Sequence, residues 1–112
     1  MIGDGHVAVE VAGPATEASP VASHDSSAYQ VLSRTIRELF PDVIVAPGLM
    51  IGGTDSRHMT AVADDIFRFS PVRARAEDLS RFHGTDERIA VANYADLIRF
   101  YGRLIRNSTG GE

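Results

Sequence analysis

The sequence predicts an α/β fold, a partial mixed sheet flanked by helices, and three observations predict it. Apolar residues recur at helical spacing in two places: Tyr29, Leu32, Ile36 and Leu39, then Val91, Tyr94, Leu97, Ile98, Tyr101, Leu104 and Ile105. "DVIVAP" is a short, continuous β-branched run of the kind buried on both faces of a parallel or mixed sheet. Elements of the two kinds alternate along the chain, in the order strand, linker, helix, strand, loop, strand, helix.

The first strand is read from "HVAVEVA", where Val7, Val9 and Val11 alternate with small or polar neighbours. "GPATEASPVAS" carries two prolines, a glycine and small polar residues, which is linker composition. A helix over about 26–40 follows, with Ser23 and Asp25 as N-cap candidates and Pro41 preventing its continuation. "DVIVAP" then delivers the chain into "LMIGGTDSRHM", after which a short helix starts near Thr54 or Asp55, either of which can cap it. "IFRFSP" reads as another strand, ended by Pro71. The polar stretch "VRARAEDLSRFHGTDER" has room for a single turn near Glu77–Leu79, and the tail "STGGE" should fray.

The bulk properties exclude several function classes. At 112 residues the chain has room for one domain, and its 44% hydrophobic content is that of a globular protein. A net charge of −4 argues against a nucleic-acid footprint. Cysteine is absent, which removes disulfides and thiolate metal sites. "VIVAPGLMI", the longest apolar stretch, is broken by Pro47 and Gly48 and falls short of the ~20 residues of a membrane helix. "MIGDGHVAVEV" has neither the basic start nor the apolar core of a signal peptide, so the protein is cytoplasmic or its true beginning lies upstream.

Two stretches offer chemistry. In "GGTDSRHM" the glycines permit close approach to the backbone, and Arg57 is placed to meet a carboxylate through two parallel hydrogen bonds. Composition alone leaves the alternative open, a surface turn in which Asp55 caps a helix and Arg57 joins an ion pair. Asp55, Ser56 and His58 do not make a hydrolase triad, because three residues within four positions splay apart. In "RFHGTDER" His83 is either a loop histidine or a metal ligand, with Asp86 and Glu87 close behind. There is no HExxH pair, so the chain holds no self-contained zinc site. His6 and His24 lie in polar, strand-edge or linker contexts and carry no functional reading, and Asp64–Asp65 end the short helix in solvent or lead into the next strand.

Together, "GGTDSRHM", "IFRFSPV", "FHGTDERIAVANY" and "LIRFYGRLI" resemble the C-terminal part of the zinc-dependent aminoacylase and carboxypeptidase S family of metallopeptidases, nearest the branch of N-acyl amino acid hydrolases. The likeness covers about 20–106. It implies that residues 23–112 are the C-terminal half of a dinuclear-zinc catalytic domain and 1–22 the last strand and return hinge of a lid domain. By the same resemblance His83 is the last protein ligand of a zinc pair, Arg57 grips the free α-carboxylate of the substrate, and Thr54 and the Gly53 backbone line the reacting end. The implied reaction is metal-assisted hydrolysis of an amide bond in a peptide or N-acyl amino acid. The implied partners are that substrate, an N-terminal half carrying the other ligands and the catalytic glutamate, and a second copy through the lid. Ala90 stands where the family often places a capping residue, so Thr85 or Asp86 is expected to cap the last helix.

This reading expects a piece of an enzyme that is inactive by itself, with His83 and Arg57 facing a common hollow. The alternative is a non-catalytic structural or interaction domain whose apolar faces are covered by another chain.

Overall fold

The computed structural model describes residues 3–10, 12–13 and 17–110. Its regular elements are helix α1 (Ser27–Leu39), a 3-10 turn (Asp55–Met59), a second 3-10 turn (Ala76–Arg81) and helix α2 (Val91–Thr109). The expected partial sheet is absent: none of the described residues forms a strand. Backbone hydrogen bonds outside the helices all join residues three or four apart, so no segment meets another in a ladder. β-Branched side chains favour extended backbone but supply no neighbour to pair with. Residues 43–47 and 66–70 therefore run without pairing, and Ile44 is 95% exposed. The N-terminal strand is corrected for the same reason. Val7 and Val9 are exposed, the Val7 N–H donates to Asp4 O, and Val11 lies outside the described residues.

Helix α1 matches its expected span within one residue at each end. Its N-cap is Ser26 rather than Ser23 or Asp25: the Ser26 hydroxyl accepts from the Tyr29 N–H at 3.2 Å. Ser23 stands one step back, accepting from the Asp25 N–H and receiving the Ser26 hydroxyl at its carbonyl. At the other end the Phe40 N–H reaches Ile36 O at 2.8 Å, and Pro41 stops propagation.

Helix α2 starts at Ala90 with no side-chain cap, so neither Thr85 nor Asp86 takes that place. It runs further than expected. Ser108 and Thr109 stay helical with hydroxyls bonded to Leu104 O and Ile105 O, and Gly110 closes the helix at φ 72°. The stripe that packs also differs. Phe100, which the seven-residue stripe omits, is fully buried, whereas Val91, Tyr94, Ile98 and Ile105 face outward. The helix carries two apolar stripes, and only the one through Phe100 and Leu104 meets α1.

Ile36, Phe40 and Phe100 form the buried centre, with Leu32, Leu39, Val45 and Leu104 packed around it. Phe100 stacks on Phe40 at 6.3 Å and meets Phe69 at 5.3 Å, both within the range of favourable aromatic pairs. Tyr29 on α1 meets Phe67 at 5.8 Å. The extended segment 66–70 is thus held to both helices by side chains rather than by backbone bonds. A polar seam runs beside the core. Buried Thr35 accepts from Asn107 Nδ2 at 2.9 Å, and Asn107 also reaches Glu38.

Segment 71–75 is fixed separately. The Arg73 guanidinium makes a two-pronged pair with Asp42 at 2.9 Å on each arm and lies 5.4 Å from the Phe40 ring centre. Asn93 on α2 donates to the Arg73 carbonyl. The hydrogen bonds from Arg73 hold the Asp42 carboxyl at about 2, below its ordinary 3.8.

Three outcomes are expected. Replacing Phe100 with Ala should lower unfolding free energy by about 3 kcal/mol in a denaturant titration, the range for a buried phenylalanine. Val91→Ala on the outward stripe should change it by less than about 0.5 kcal/mol. Because the folded Asp42 pKa is depressed, the pair contributes above the ordinary carboxylate value, and that contribution is lost as pH falls through about 2. In Arg73→Gln the Asp42 carboxyl, followed by NMR, should titrate near its ordinary value. An unmoved midpoint would contradict the pairing.

Candidate functional site

The turn at 54–59 is set by hydroxyl chemistry. Thr54, extended at φ −139°, caps it, and its side chain accepts from the Ser56 N–H at 3.3 Å. The Thr54 and Ser56 hydroxyls also bond each other. Arg68, from the extended segment 66–70, brings Nε to Ser56 Oγ at 2.8 Å and to Thr54 Oγ1 at 3.4 Å. The Arg57 Nε donates to Nε2 of His58 at 3.2 Å. The short helix expected from Thr54 or Asp55 is a five-residue 3-10 turn.

The chain bends at Gly52 just before the turn. Gly52 and Gly53 do not enter the left-handed region. A Cβ on Gly53 would sit 4.0 Å from Arg57 Nη1, so the guanidinium lies beside bare backbone. No carboxylate of the described residues is within ion-pair distance of Arg57 or Arg68, whereas Arg73, Arg81 and Arg99 each have one. Arg57 therefore does not form the surface ion pair of the alternative reading. Ser56 is held by Thr54 and Arg68 rather than by His58, in keeping with the rejection of a triad.

These groups line an open cavity of about 1150 Å³. Gly53, Thr54, Arg57, His58 and Arg68 share that lining with the apolar side chains of Ile36, Ile44, Leu49, Met50, Ile51 and Phe67. The segment 17–22 passes along another side, and Ser23 is tied across by its N–H to Asp65 Oδ1 at 2.9 Å. An apolar hollow with a few converging polar groups is the usual form of a small-molecule site.

His83 is placed elsewhere. It is exposed, and it does not line the cavity that gathers Gly53, Thr54 and Arg57. Its backbone lies at φ 57° and that of Asp86 at φ 61°, a region non-glycine residues seldom enter. Between them Gly84 is required by space, because a Cβ there would come within 2.7 Å of Ser80 O. The loop is anchored upstream by the second 3-10 turn, where Asp78 accepts from the Arg75 N–H and from Arg81 Nη1. Among the described residues no group of three or more His, Asp or Glu side chains could hold a metal ion. One exposed imidazole is not a zinc site, so the donors of this chain do not by themselves fit the metal pair.

Sequence reasoning missed Arg68. Its signal is a cation inside the apolar run "IFRFS", which reads as the solvent face of a strand until the segment proves to have no strand neighbour.

Comparison with known proteins supplies the family. The model of peptidase family M20/M25/M40 matches residues 2–107. "Probable carboxypeptidase S-like 2" of Dictyostelium discoideum is 42% identical over 108 residues, covering 96% of this chain and 21% of that protein. "N-fatty-acyl-amino acid synthase/hydrolase PM20D1.1" of Danio rerio is 41% identical over 91 residues, covering 80% of this chain and 18% of that protein. "Probable carboxypeptidase S-like 1" of Dictyostelium discoideum is 36% identical over 109 residues, covering 96% of this chain and 22% of that protein. No solved structure matches. The chain thus spans about a fifth of the length of these relatives, and by the family match it belongs to peptidase family M20/M25/M40.

Proposed function

We propose that this chain is the carboxylate-receiving part of a metal-dependent hydrolase that cleaves the amide bond of N-acyl amino acids or peptides with a free α-carboxylate. The observation that carries the proposal is the Arg57 guanidinium, with no carboxylate of the described residues within ion-pair distance, beside bare Gly53 backbone in the lining of a largely apolar cavity. The relatives add support, since their names describe carboxypeptidase S-like proteins and hydrolases of N-fatty-acyl amino acids. Such substrates are amphiphiles. Their carboxylate suits a guanidinium that offers two parallel N–H donors, a geometry lysine cannot reproduce. Holding that end fixes the distance and angle of the amide to be attacked, which is where a positioned substrate gains rate. In this reading Thr54 and the Gly53 backbone, which line the same cavity, receive the reacting end of the substrate.

In this proposal His83, which does not share the Arg57 cavity in this chain, provides one imidazole to a zinc pair whose other ligands, and the general acid–base glutamate, come from protein outside these 112 residues. The chain alone is then inactive. Arg57→Ala in the complete enzyme should raise KM for substrates with a free carboxylate by roughly tenfold or more, the weight of one lost charge-assisted hydrogen bond. Carboxamide analogues should be turned over almost unchanged. Equal losses on both substrate types would contradict the clamp.

A further inference from the structure

We propose that Arg68 is the second guanidinium of the carboxylate site: Nε fixes the Thr54–Ser56 turn, and the far end of the side chain receives the carboxylate together with Arg57. The proposal rests on the carboxylate-clamp reading above and adds a residue to it. Arg68 stands on a different segment from Arg57, twelve residues from Ser56 in sequence, yet its Nε reaches Ser56 Oγ at 2.8 Å. Both guanidinium groups line the same cavity. Arg68 is half-buried, its side-chain hydrogen bonds use Nε alone, and no carboxylate of the described residues is within ion-pair distance. The nearest acidic side chain upstream, Asp65, is engaged by the Ser23 N–H.

Chemistry narrows what belongs there. Two cations on one cavity wall repel, and an anion set between them relieves that repulsion while satisfying the remaining N–H donors. The apolar wall of Ile44, Leu49, Met50, Ile51 and Phe67 excludes a bare inorganic anion as the best fit and favours a carboxylate with an apolar tail. The hydroxyls of Thr54 and Ser56 are already occupied by each other and by Arg68. They therefore act as the strut that sets the angle between the two guanidinium groups. Asp55 shares the turn and would oppose an anion, but it is exposed and within ion-pair distance of neither arginine.

The test uses the 112-residue chain and two probes, N-octanoylglycine and its primary amide, titrated by amide NMR shifts. Wild type should bind the carboxylate more tightly than the amide. Arg68→Gln keeps an N–H donor for Ser56 but removes the charge; it should weaken carboxylate binding about tenfold and leave amide binding unchanged. Arg68→Lys, which restores charge without the fork, should recover part of the loss. A preference for carboxylate that survives Arg68→Gln intact but disappears in Arg57→Ala would overturn the role of Arg68 and leave the Arg57 clamp standing. Equal weakening of both probes in Arg68→Gln would make Arg68 a structural strut only and overturn the proposal. No carboxylate preference in wild type would overturn both.

Discussion

The structure depends on the burial of one ring. Phe100 is the only large apolar side chain among the described residues that is wholly withdrawn from solvent, and it touches three elements at once. It stacks on Phe40 at the end of α1, meets Phe69 on the extended segment, and belongs itself to α2. Full burial of a phenylalanine contributes roughly 2–3 kcal/mol, a large share of the stability of so small a core. Because segment 66–70 has no ladder, the contacts of Phe69 with Phe100 and of Phe67 with Tyr29 are what hold Arg68 where it can reach Ser56. Arg68 is therefore positioned by the aromatic packing of its two immediate neighbours, Phe67 and Phe69, not by backbone pairing.

That arrangement has a cost that shows on the surface. Ile44, Leu49 and Ile51 are exposed together on the cavity wall, and Val91, Ile98 and Ile105 are exposed along the outer stripe of α2. Apolar patches of this extent mark contact surfaces in monomeric proteins. The buried centre contains three apolar residues, few for a chain of this length. The chain spans about a fifth of the length of its relatives.

Local chemistry was legible in the sequence, and long-range pairing was not. The span of α1 followed from Tyr29, Leu32, Ile36 and Leu39, and the start of the 3-10 turn from the capping chemistry of Thr54, because both are decided within a few residues. "DVIVAP" and "IFRFSP" misled because a β-branched or aromatic run specifies an extended backbone, whereas a strand also needs a neighbour. α2 was recognised as a helix, but seven apolar positions spread over two stripes concealed Phe100, since periodicity alone does not say which stripe packs. Gly53, Thr54 and Arg57, which the sequence offers as substrate-binding candidates, share the cavity, while His83, its metal-ligand candidate, does not line it. Arg68 escaped notice because its role depends on a contact twelve residues away in sequence. The family motifs carried further than the fold reading, since they encode which residues recur together without needing their distances.

Amide hydrogen exchange on the 112-residue chain tests this account most directly. Slow exchange confined to α1 and α2, with 43–47 and 66–70 exchanging at nearly unprotected rates, is the result the account predicts. Protected amides in both extended segments, alternating as in a ladder, would contradict it and transfer the positioning of Arg68 from the Phe100 cluster to a sheet.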